Sequence, residues 1–400
     1  MRVKQALFLV GGRGSRLGAL SAGTPKPMQA IGPGVRFLDL LLDHASRHGF
    51  TDLILLAGHL GDQVEAAYQG KCVREAVVRV LREPQPMGTG GALHLAADQL
   101  ASSFLLSNGD SFFDFNLRAL AAVPLGDSLA RIALRHVPDA GRYGSVTLKG
   151  GRIAAFHEKD PSGAGPGLIN GGVYLLSRDV VGRLASPCSL ETDVFPKLAA
   201  AGRLEGMKFD GYFLDIGLPE TLAQAQRETA KLFVRPAAIL DRDGVLNRDE
   251  GYTHRPEQLV WQPGAREAVR LLNDRGYYVI VATNQAGVAR GLYDEAAVSA
   301  FHAHMQDELA KTGAHIDAFY HCPFHPQGVV ARYRAADHPD RKPNPGMILK
   351  ALADWPVDRA HSFVIGDKPS DLEAALRAGL SGHLYEGGDL TTLVQRIIGA

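Results

Sequence analysis

The sequence predicts an α/β protein of two domains, each built on a Rossmann-like parallel sheet, spanning residues 1–233 and 234–400. Three observations carry that reading. Short apolar runs such as 6–10 and 237–240 are too brief for helices, suit strands buried on both faces, and lead straight into polar segments bearing glycine. Helical periodicity separates such runs, as in 36–47 and 265–275, and stretches with that alternation form open sheets with sites at the strand ends. Finally, 400 residues with 46% hydrophobic content fill two cores.

The 43 basic and 43 acidic residues cancel, so no nucleic-acid footprint is expected and the partners are small molecules. Cys72, Cys188 and Cys322 are scattered and odd in number, which fits a reducing compartment. No apolar run reaches the roughly 18 residues that a membrane span needs. A cytoplasmic protein without membrane contact is expected, and a homo-oligomer is compatible with it.

In the first half, strand 6–10 enters Gly11-Gly12-Arg13-Gly14-Ser15-Arg16-Leu17-Gly18, a loop whose backbone N–H groups suit phosphates. Gly12, Gly14 and Gly18 also approximate a dinucleotide fingerprint, with Asp39 near the ribose-binding position. That fold needs a helix directly after the glycines, and Gly23-Thr24-Pro25-Lys26-Pro27 breaks it. Lys26 is left as a fixed point charge between two prolines. Strand 77–81 ends at Glu83-Pro84-Gln85-Pro86-Met87-Gly88-Thr89-Gly90-Gly91, a second glycine-rich loop opening a helix to about Leu100. Strand 104–106 leads to Asp110, a strand-end carboxylate suited to the Mg²⁺ that accompanies nucleotide phosphates.

Gly11 to Leu17, followed by Pro25-Lys26-Pro27-Met28, resembles the signature of sugar-phosphate nucleotidyltransferases, nearest their heptose 1-phosphate guanylyltransferase branch. The resemblance implies a nucleotide-diphospho-sugar transferase-like fold. It implies that Gly11, Gly12, Gly14, Ser15 and Arg16 hold a nucleoside triphosphate and that Lys26 neutralises it. A sugar 1-phosphate then attacks the α-phosphorus and expels pyrophosphate. It further implies that Gln85, Gly88 and Thr89 lie against the nucleobase and that Asp215 joins Asp110 on Mg²⁺. Glu158, Lys159, Asn170 and Gly171 are then sugar-phosphate contacts, with Glu191 a weaker candidate.

In the second half, strand 237–240 delivers Asp241-Arg242-Asp243-Gly244. Two carboxylates at i and i+2 in an apolar setting call for a cation or for a division into nucleophile and proton carrier. Thr283-Asn284, Arg341-Lys342-Pro343 and Gly366-Asp367, with Asp371 beyond, follow in order. This constellation resembles the haloacid dehalogenase superfamily of phosphatases. Gly251-Tyr252 and residues 283–291, 322–328 and 341–347 narrow the resemblance to D,D-heptose 1,7-bisphosphate phosphatases, with histidinol-phosphate phosphatases close by. Asp241 is then the nucleophile and Asp243 the acid/base, while Thr283, Asn284 and Lys342 hold phosphate. Asp241, Asp367 and the backbone carbonyl of Asp243 ligate Mg²⁺, and Asp371 serves the metal or positions the lysine. Arg341 is the substrate-side specificity residue.

One departure concerns the zinc loop of that family, C-x-H followed by C-x-C. Phe324 stands at the histidine position and His338-Pro339-Asp340 where the cysteines belong. Cys322, His325, His338 and Asp340 are all zinc-ligating types, but the lost thiolates favour a loop without zinc.

Together these readings describe a bifunctional, Mg²⁺-dependent enzyme that serves nucleotide-heptose supply for lipopolysaccharide or S-layer glycans. It removes the 7-phosphate of D-glycero-D-manno-heptose 1,7-bisphosphate and transfers GMP from GTP to the resulting heptose 1-phosphate, as the α-anomer. Two competitors are another sugar 1-phosphate nucleotidyltransferase fused to a histidinol-phosphate-type phosphatase, and a sugar-nucleotide sensor or scaffold with inactive sites. The second is disfavoured because Lys26, Asp110, Asp215, Asp241, Asp243, Lys342 and Asp367 are all intact.

Overall fold

The structure, a computed structural model, describes residues 2–12, 14–141, 145–157 and 165–399. They fall into two compact units, Val3–Leu232 and Phe233–Ala400, the latter taking Met1–Arg2 as well.

In the first unit the described residues form a ten-stranded sheet and two two-stranded ones. The strand Gln5–Leu9 is parallel to Asp52–Ala57 on one side and to Ser103–Asn108 on the other. Ala76–Arg82 continues the parallel half. Beyond Ser103–Asn108 the direction changes, because Gly167–Ser177 runs antiparallel to it and to Ala130–Val137. The parallel sheet expected from the sequence is thus extended by antiparallel strands into a mixed one. A further antiparallel pair has a local cause at Gly150-Gly151, both at positive φ (58° and 79°). They join Ser145–Lys149 to Arg152–His157 by a two-residue turn, which closes antiparallel strands and is far too short for a parallel crossover.

After the first glycine loop the chain makes a 3₁₀ turn, Ser15–Ser21, kinked at Gly18 (φ 58°, ψ −128°), and the first α-helix is Phe37–Arg47. The dinucleotide alternative fails on that ground. The helix opened by the second glycine loop is Gly88–Leu95, shorter than expected. A 3₁₀ turn at Ala97–Gln99 takes over as Leu93, Ala96 and Leu100 enter the core.

The second unit carries a five-stranded parallel sheet in the order Ala318–Cys322, Tyr278–Asn284, Ala237–Leu240, Phe363–Gly366, Ser381–Leu384. Side chains alternate between its two faces. Ala238, Leu240, Val279, Val281 and Ile365 enter one core with the helices Ala265–Asp274 and Glu295–Ala310. Ala237, Ile239, Ile280 and Val364 enter the other with Gly346–Asp354 and Pro369–Arg377. Both faces are thus dry, which is why these strands read as unbroken apolar runs. Among the described residues no helix is long and apolar enough to cross a membrane.

One charged pair ties the first unit's parallel pair of inner strands. Arg131 stands opposite Glu205 in register, and its guanidinium reaches Glu205 Oε2 at 2.6 Å and the carbonyls of Leu120 and Val123. The Arg131 side chain is 4% exposed and that of Glu205 21%. Glu205→Ala would strand the guanidinium without a counter-charge. It should cost about 2–3 kcal/mol, just under the range for fully buried pairs. Urea denaturation followed by hydrogen exchange of the 130–137 amides tests this, and a loss below about 0.5 kcal/mol would place the pair with surface ion pairs.

Candidate active sites

The first site is built by register. Tyr212–Asp215 runs antiparallel to Ser111–Asp114 with Asp215 opposite Ser111, so Asp215 comes beside Asp110 although 105 positions separate them in the chain. The Ile216 N–H donates to the Asp110 carbonyl (3.0 Å), which pins the two strand ends together. Lys26, 6% exposed, lies 2.6 Å from Asp110 Oδ2 and 3.7 Å from Asp215 Oδ1. Burial, reinforced by the Asp110 charge, lifts the Asp215 carboxyl above the usual range, and Lys26 pulls it back. A Cβ on Gly217 would stand 3.1 Å from Lys26 Nζ and 3.3 Å from Arg16 Nη2, so both cations meet at that glycine. Arg16 itself is exposed.

A cleft of about 400 Å³ runs from this charged end along Gly11, Gly12, Gly88 and Thr89, with Lys26 and Asp110 in its wall. Gly14, at φ +62°, turns the loop beneath it, where its carbonyl accepts from Ser21 Oγ (2.9 Å). Ser15 opens the 3₁₀ turn. Thr89 Oγ1 donates to Glu191 Oε2 (2.7 Å), which joins the second glycine loop to Glu191 on the cleft wall. Gln85 is exposed and does not line the cleft. Glu83, two residues earlier and not singled out in the sequence, does line it, together with Asp110 and Glu191. Glu83 Oε2 accepts the Met87 N–H (3.1 Å), which folds the loop back and leaves Gln85 near the tip. Burial raises the Glu83 carboxyl, against the pull of that N–H. Asn170 is occupied structurally, donating to Tyr174 OH and accepting from Gly172 N (both 2.9 Å), and Gly171 packs against Phe113. Glu158 and Lys159 lie outside the described residues.

The second site gathers the ends of three neighbouring parallel strands. Lys342, 6% exposed, bridges Asp241 Oδ1 (2.9 Å) and Asp371 Oδ1 (2.7 Å). Asn284 fixes the base of that lysine, because its Nδ2 donates to the Lys342 carbonyl and its Oδ1 accepts the Lys342 N–H, each at 3.1 Å. Burial pushes the Asp241 carboxyl up to about 6, with Lys342 opposing and Asp371 adding to the rise. Burial also works against the Lys342 ammonium, yet the two aspartates raise its pKa overall. Asp371 thus takes the lysine-positioning place, while its Oδ2 accepts the Lys368 N–H (3.0 Å) and caps the last helix of the motif.

Asp241, Asp367 and Asp371 offer oxygens that lie within 4.8 Å of one another. Asp367 Oδ1 is buried without a hydrogen-bond partner among the described residues, and burial raises its carboxyl. An oxygen-rich cluster with an unsatisfied buried acceptor fits a hard divalent cation. Gly244, at φ +93°, makes the room, since a Cβ there would stand 2.3 Å from Asp367 Oδ2. The Asp243 carboxylate is engaged elsewhere, by Arg242, Asn247 and Gln285, so any ligation by Asp243 falls to its backbone. Thr283 is buried and its Oγ1 accepts from Gln285 Nε2 (3.0 Å). Arg341 is held by donating to the Phe324 carbonyl (3.0 Å).

In the altered loop, Cys322 Sγ lies 4.0 Å from His338 Nδ1, and the His338 ring stacks on Phe324 at 3.8 Å. His338 Nδ1 accepts the Asp340 N–H (3.1 Å), His325 Nδ1 accepts the Gln327 N–H (3.0 Å), and Asp340 pairs with Lys350. The two replacements, Phe324 at the pattern's histidine position and His338 where a cysteine belongs, thus stack on each other.

A nucleotidyl transferase family model matches residues 5–231, and a HAD-hydrolase-like model matches 340–394. The D-glycero-beta-D-manno-heptose-1,7-bisphosphate 7-phosphatase of Rhodopseudomonas palustris is 50% identical over 171 residues, which cover 42% of this chain and 94% of that protein. The D-glycero-alpha-D-manno-heptose-1,7-bisphosphate 7-phosphatase of Burkholderia mallei is 44% identical over 144 residues, 36% of this chain and 76% of that protein. HddC from Yersinia pseudotuberculosis aligns with 57% of this chain and 100% of its own, with 29% identity and a TM-score of 0.51. Its complex with GMP-PN aligns equally far with a TM-score of 0.50. The two strand-end aspartate sites thus have separate lineages, and the chain belongs to the nucleotidyl transferase family in its first unit and to the heptose-bisphosphate phosphatases of the HAD-like hydrolases in its second.

Proposed function

We propose that the second unit removes the 7-phosphate of D-glycero-D-manno-heptose 1,7-bisphosphate and that the first transfers GMP from GTP to the heptose 1-phosphate so formed. The observation that carries this is the pairing, in one chain, of a heptose-bisphosphate phosphatase with a unit similar to HddC. A 7-phosphatase leaves a sugar 1-phosphate, and a sugar 1-phosphate is the nucleophile a nucleotidyltransferase consumes. GTP is supported by the similarity to a protein solved with GMP-PN and by Glu83. Guanine presents adjacent N1–H and N2–H₂ donors to a carboxylate, whereas adenine presents an acceptor at N1. The phosphatase relatives act on either anomer by name, so the α-anomer rests on the first unit. The reactions belong in the cytoplasm, where the nucleotide is found.

In the second unit Asp241 attacks the 7-phosphorus, forming an O–P bond as the sugar oxygen leaves with a proton from Asp243. Water then gives its proton to Asp243 and attacks the aspartyl-phosphate, which releases inorganic phosphate and restores Asp241. Lys342 and Thr283 hold the transferring group, Asn284 holds Lys342, and Arg341 meets the sugar side. Asp241, Asp367 and the Asp243 backbone would hold Mg²⁺, which supplies charge neutralisation for the phosphate oxygens. In the first unit Gly11, Gly12, Gly14 and Ser15 cradle the triphosphate beside Lys26 and Arg16. Gly88 and Thr89 lie along the base, and Asp110 with Asp215 would hold a second Mg²⁺. There the sugar phosphate oxygen attacks the α-phosphorus and the P–O bond to pyrophosphate breaks. The Cys322, His325, His338 and Asp340 loop is read as holding no zinc.

The intact chain given α-heptose 1,7-bisphosphate, GTP and Mg²⁺ should yield phosphate, pyrophosphate and GDP-heptose in one vessel, with little nucleotide sugar from ATP or from the β-anomer. Phosphate without nucleotide sugar from any triphosphate, together with faster hydrolysis of histidinol phosphate, would overturn the assignment. The sites should also separate. Asp241→Asn should lower phosphatase turnover at least about 10³-fold while nucleotidyl transfer to supplied heptose 1-phosphate stays within a few-fold, and Lys26→Ala should do the reverse. Because Lys342 lowers the Asp241 pKa, Lys342→Met should move that carboxyl further above 6, readable by ¹³C NMR of labelled aspartate in metal-free protein. Chelated and dialysed protein restored with Mg²⁺ alone should regain full phosphatase activity, and a requirement for added zinc would show that the altered loop is a metal site.

A further inference from the structure

Arg242, between the two aspartates of the motif, is fully buried, at 0% exposure, and is the largest such side chain among the described residues. Burying a guanidinium is costly unless every donor is used. Here nearly all are. Nε donates to Asp243 Oδ1 (3.0 Å) and Nη2 to Asp243 Oδ2 (2.7 Å), a fork on the carboxylate of its own neighbour. Nη2 also donates to the Thr253 carbonyl (2.7 Å) and to Gln285 Oε1 (3.2 Å). Nη1 donates to His302 Nε2 (3.3 Å), and the guanidinium carbon lies 4.7 Å from the Phe301 ring centre. Burial and the Arg242 charge hold His302 neutral, with its pKa down to about 2, so that its ring nitrogen accepts. Groups from three further segments, the Thr253 carbonyl and the side chains of Gln285 and of Phe301 with His302, therefore converge on one cation whose main partner is Asp243.

Neighbours at i and i+1 rarely pair in this way, because successive side chains in extended backbone point apart. Gly244, at φ +93° directly after Asp243, turns the chain, and the Gly244 N–H to Asn247 carbonyl bond (2.7 Å) closes the turn. Asn247 Nδ2 adds a donor to Asp243 Oδ1 (2.9 Å) and Gln285 Nε2 one to Oδ2 (2.9 Å). Gln285 is in turn held by the Tyr293 hydroxyl (2.8 Å), whose ring stacks on His254 at 4.4 Å, next to Thr253.

We propose that Arg242 is a positioning residue that sets the orientation of the Asp243 carboxylate for proton transfer and ties it to the 252–254 loop and to Gln285. This rests on the phosphatase reading in which Asp243 protonates the leaving sugar oxygen and then deprotonates water. A lysine in its place keeps the charge but offers no planar fork.

The distinguishing measurement is leaving-group dependence in the full-length chain. A sugar alkoxide needs the Asp243 proton, whereas p-nitrophenolate leaves unaided, and both substrates need Asp243 to dephosphorylate Asp241. Arg242→Lys should lower kcat on the heptose bisphosphate about 100-fold, the lower end of what general acid catalysis contributes, with KM within a few-fold. With p-nitrophenyl phosphate it should keep a rapid burst near one nitrophenol per chain, followed by slow turnover. A uniform loss on both substrates with no burst, or wild-type rates on both, overturns the inference. Should Arg242→Lys fail to fold by circular dichroism, Gln285→Leu, which removes another donor from Asp243, must show the same split at smaller size, and uniform loss there overturns it equally. Asp243→Asn separates the two levels. If it keeps bisphosphate turnover, the acid/base assignment is wrong. If it is inactive on the bisphosphate while the Arg242 variant behaves as wild type, only the positioning role falls.

Discussion

A buried lysine set between two aspartates recurs in both units, and each site is organised about it. Bringing two carboxylates together out of water is unfavourable twice, through lost hydration and through mutual repulsion. One ammonium with three donors offsets much of both costs and still leaves a net negative charge. In the second unit the cluster is dry, with side-chain exposures of 4% for Lys342, 9% for Asp241 and 2% for Asp371, and both contacts are short. In the first it is wetter and looser. Asp110 and Asp215 are 34% and 24% exposed, and Lys26 favours Asp110 by about an ångström. The remaining negative charge gives each site a reason to attract a divalent cation, and the lysine a reason to meet the phosphate that comes with it.

Holding such clusters is a backbone task. The parallel strands end at Leu240, Asn284 and Gly366, so the polar groups at those ends emerge at one edge of a sheet whose two faces are filled with apolar side chains. The Asn284 amide pairs with the backbone of Lys342 across 58 residues, which makes the lysine's position a property of the sheet rather than of its loop. In the first unit the short ladder between Ser111–Asp114 and Tyr212–Asp215 does the same for Asp215.

Much of this was legible in the sequence, for a definable reason. Strand-end carboxylates announce themselves locally, since an apolar run followed by Asp and Gly needs no knowledge of the rest of the chain. Asp110, Asp241 and Asp367 were read that way, and Lys26 from its flanking prolines. What was not legible depends on pairing at long range. The antiparallel half of the first sheet lies in segments whose alternation does not reveal direction. Arg242 drew no role from the sequence, because its partners Thr253, Gln285 and His302 are 11 to 60 positions away. Gln85 was expected at the base because the resemblance places its loop there, and Glu83 in the same loop drew no role. The Met87 N–H to Glu83 bond that reverses their exposure is a turn the two prolines conceal.

The proposed division of labour also follows from the two clusters. Asp241 keeps Oδ1 on Lys342 and on the Arg242 N–H (2.7 Å), which leaves its other oxygen with lone pairs to spend on phosphorus. A covalent route suits a reaction whose final acceptor is water, because it splits a difficult displacement into two and lets Asp243 serve both halves. In the first unit the substrate's own phosphate is the nucleophile, so no enzyme carboxylate has to attack. Asp110 and Asp215 can both stay beside Lys26 and with the Mg²⁺ they would hold, and alignment with charge neutralisation suffices. Hydrolysis of a phosphate ester in water is effectively irreversible, whereas exchange of one phosphoanhydride for another is nearly balanced. Placing both steps in one chain therefore lets an irreversible reaction feed a reversible one at fixed stoichiometry, an advantage that holds whatever the arrangement of the two units.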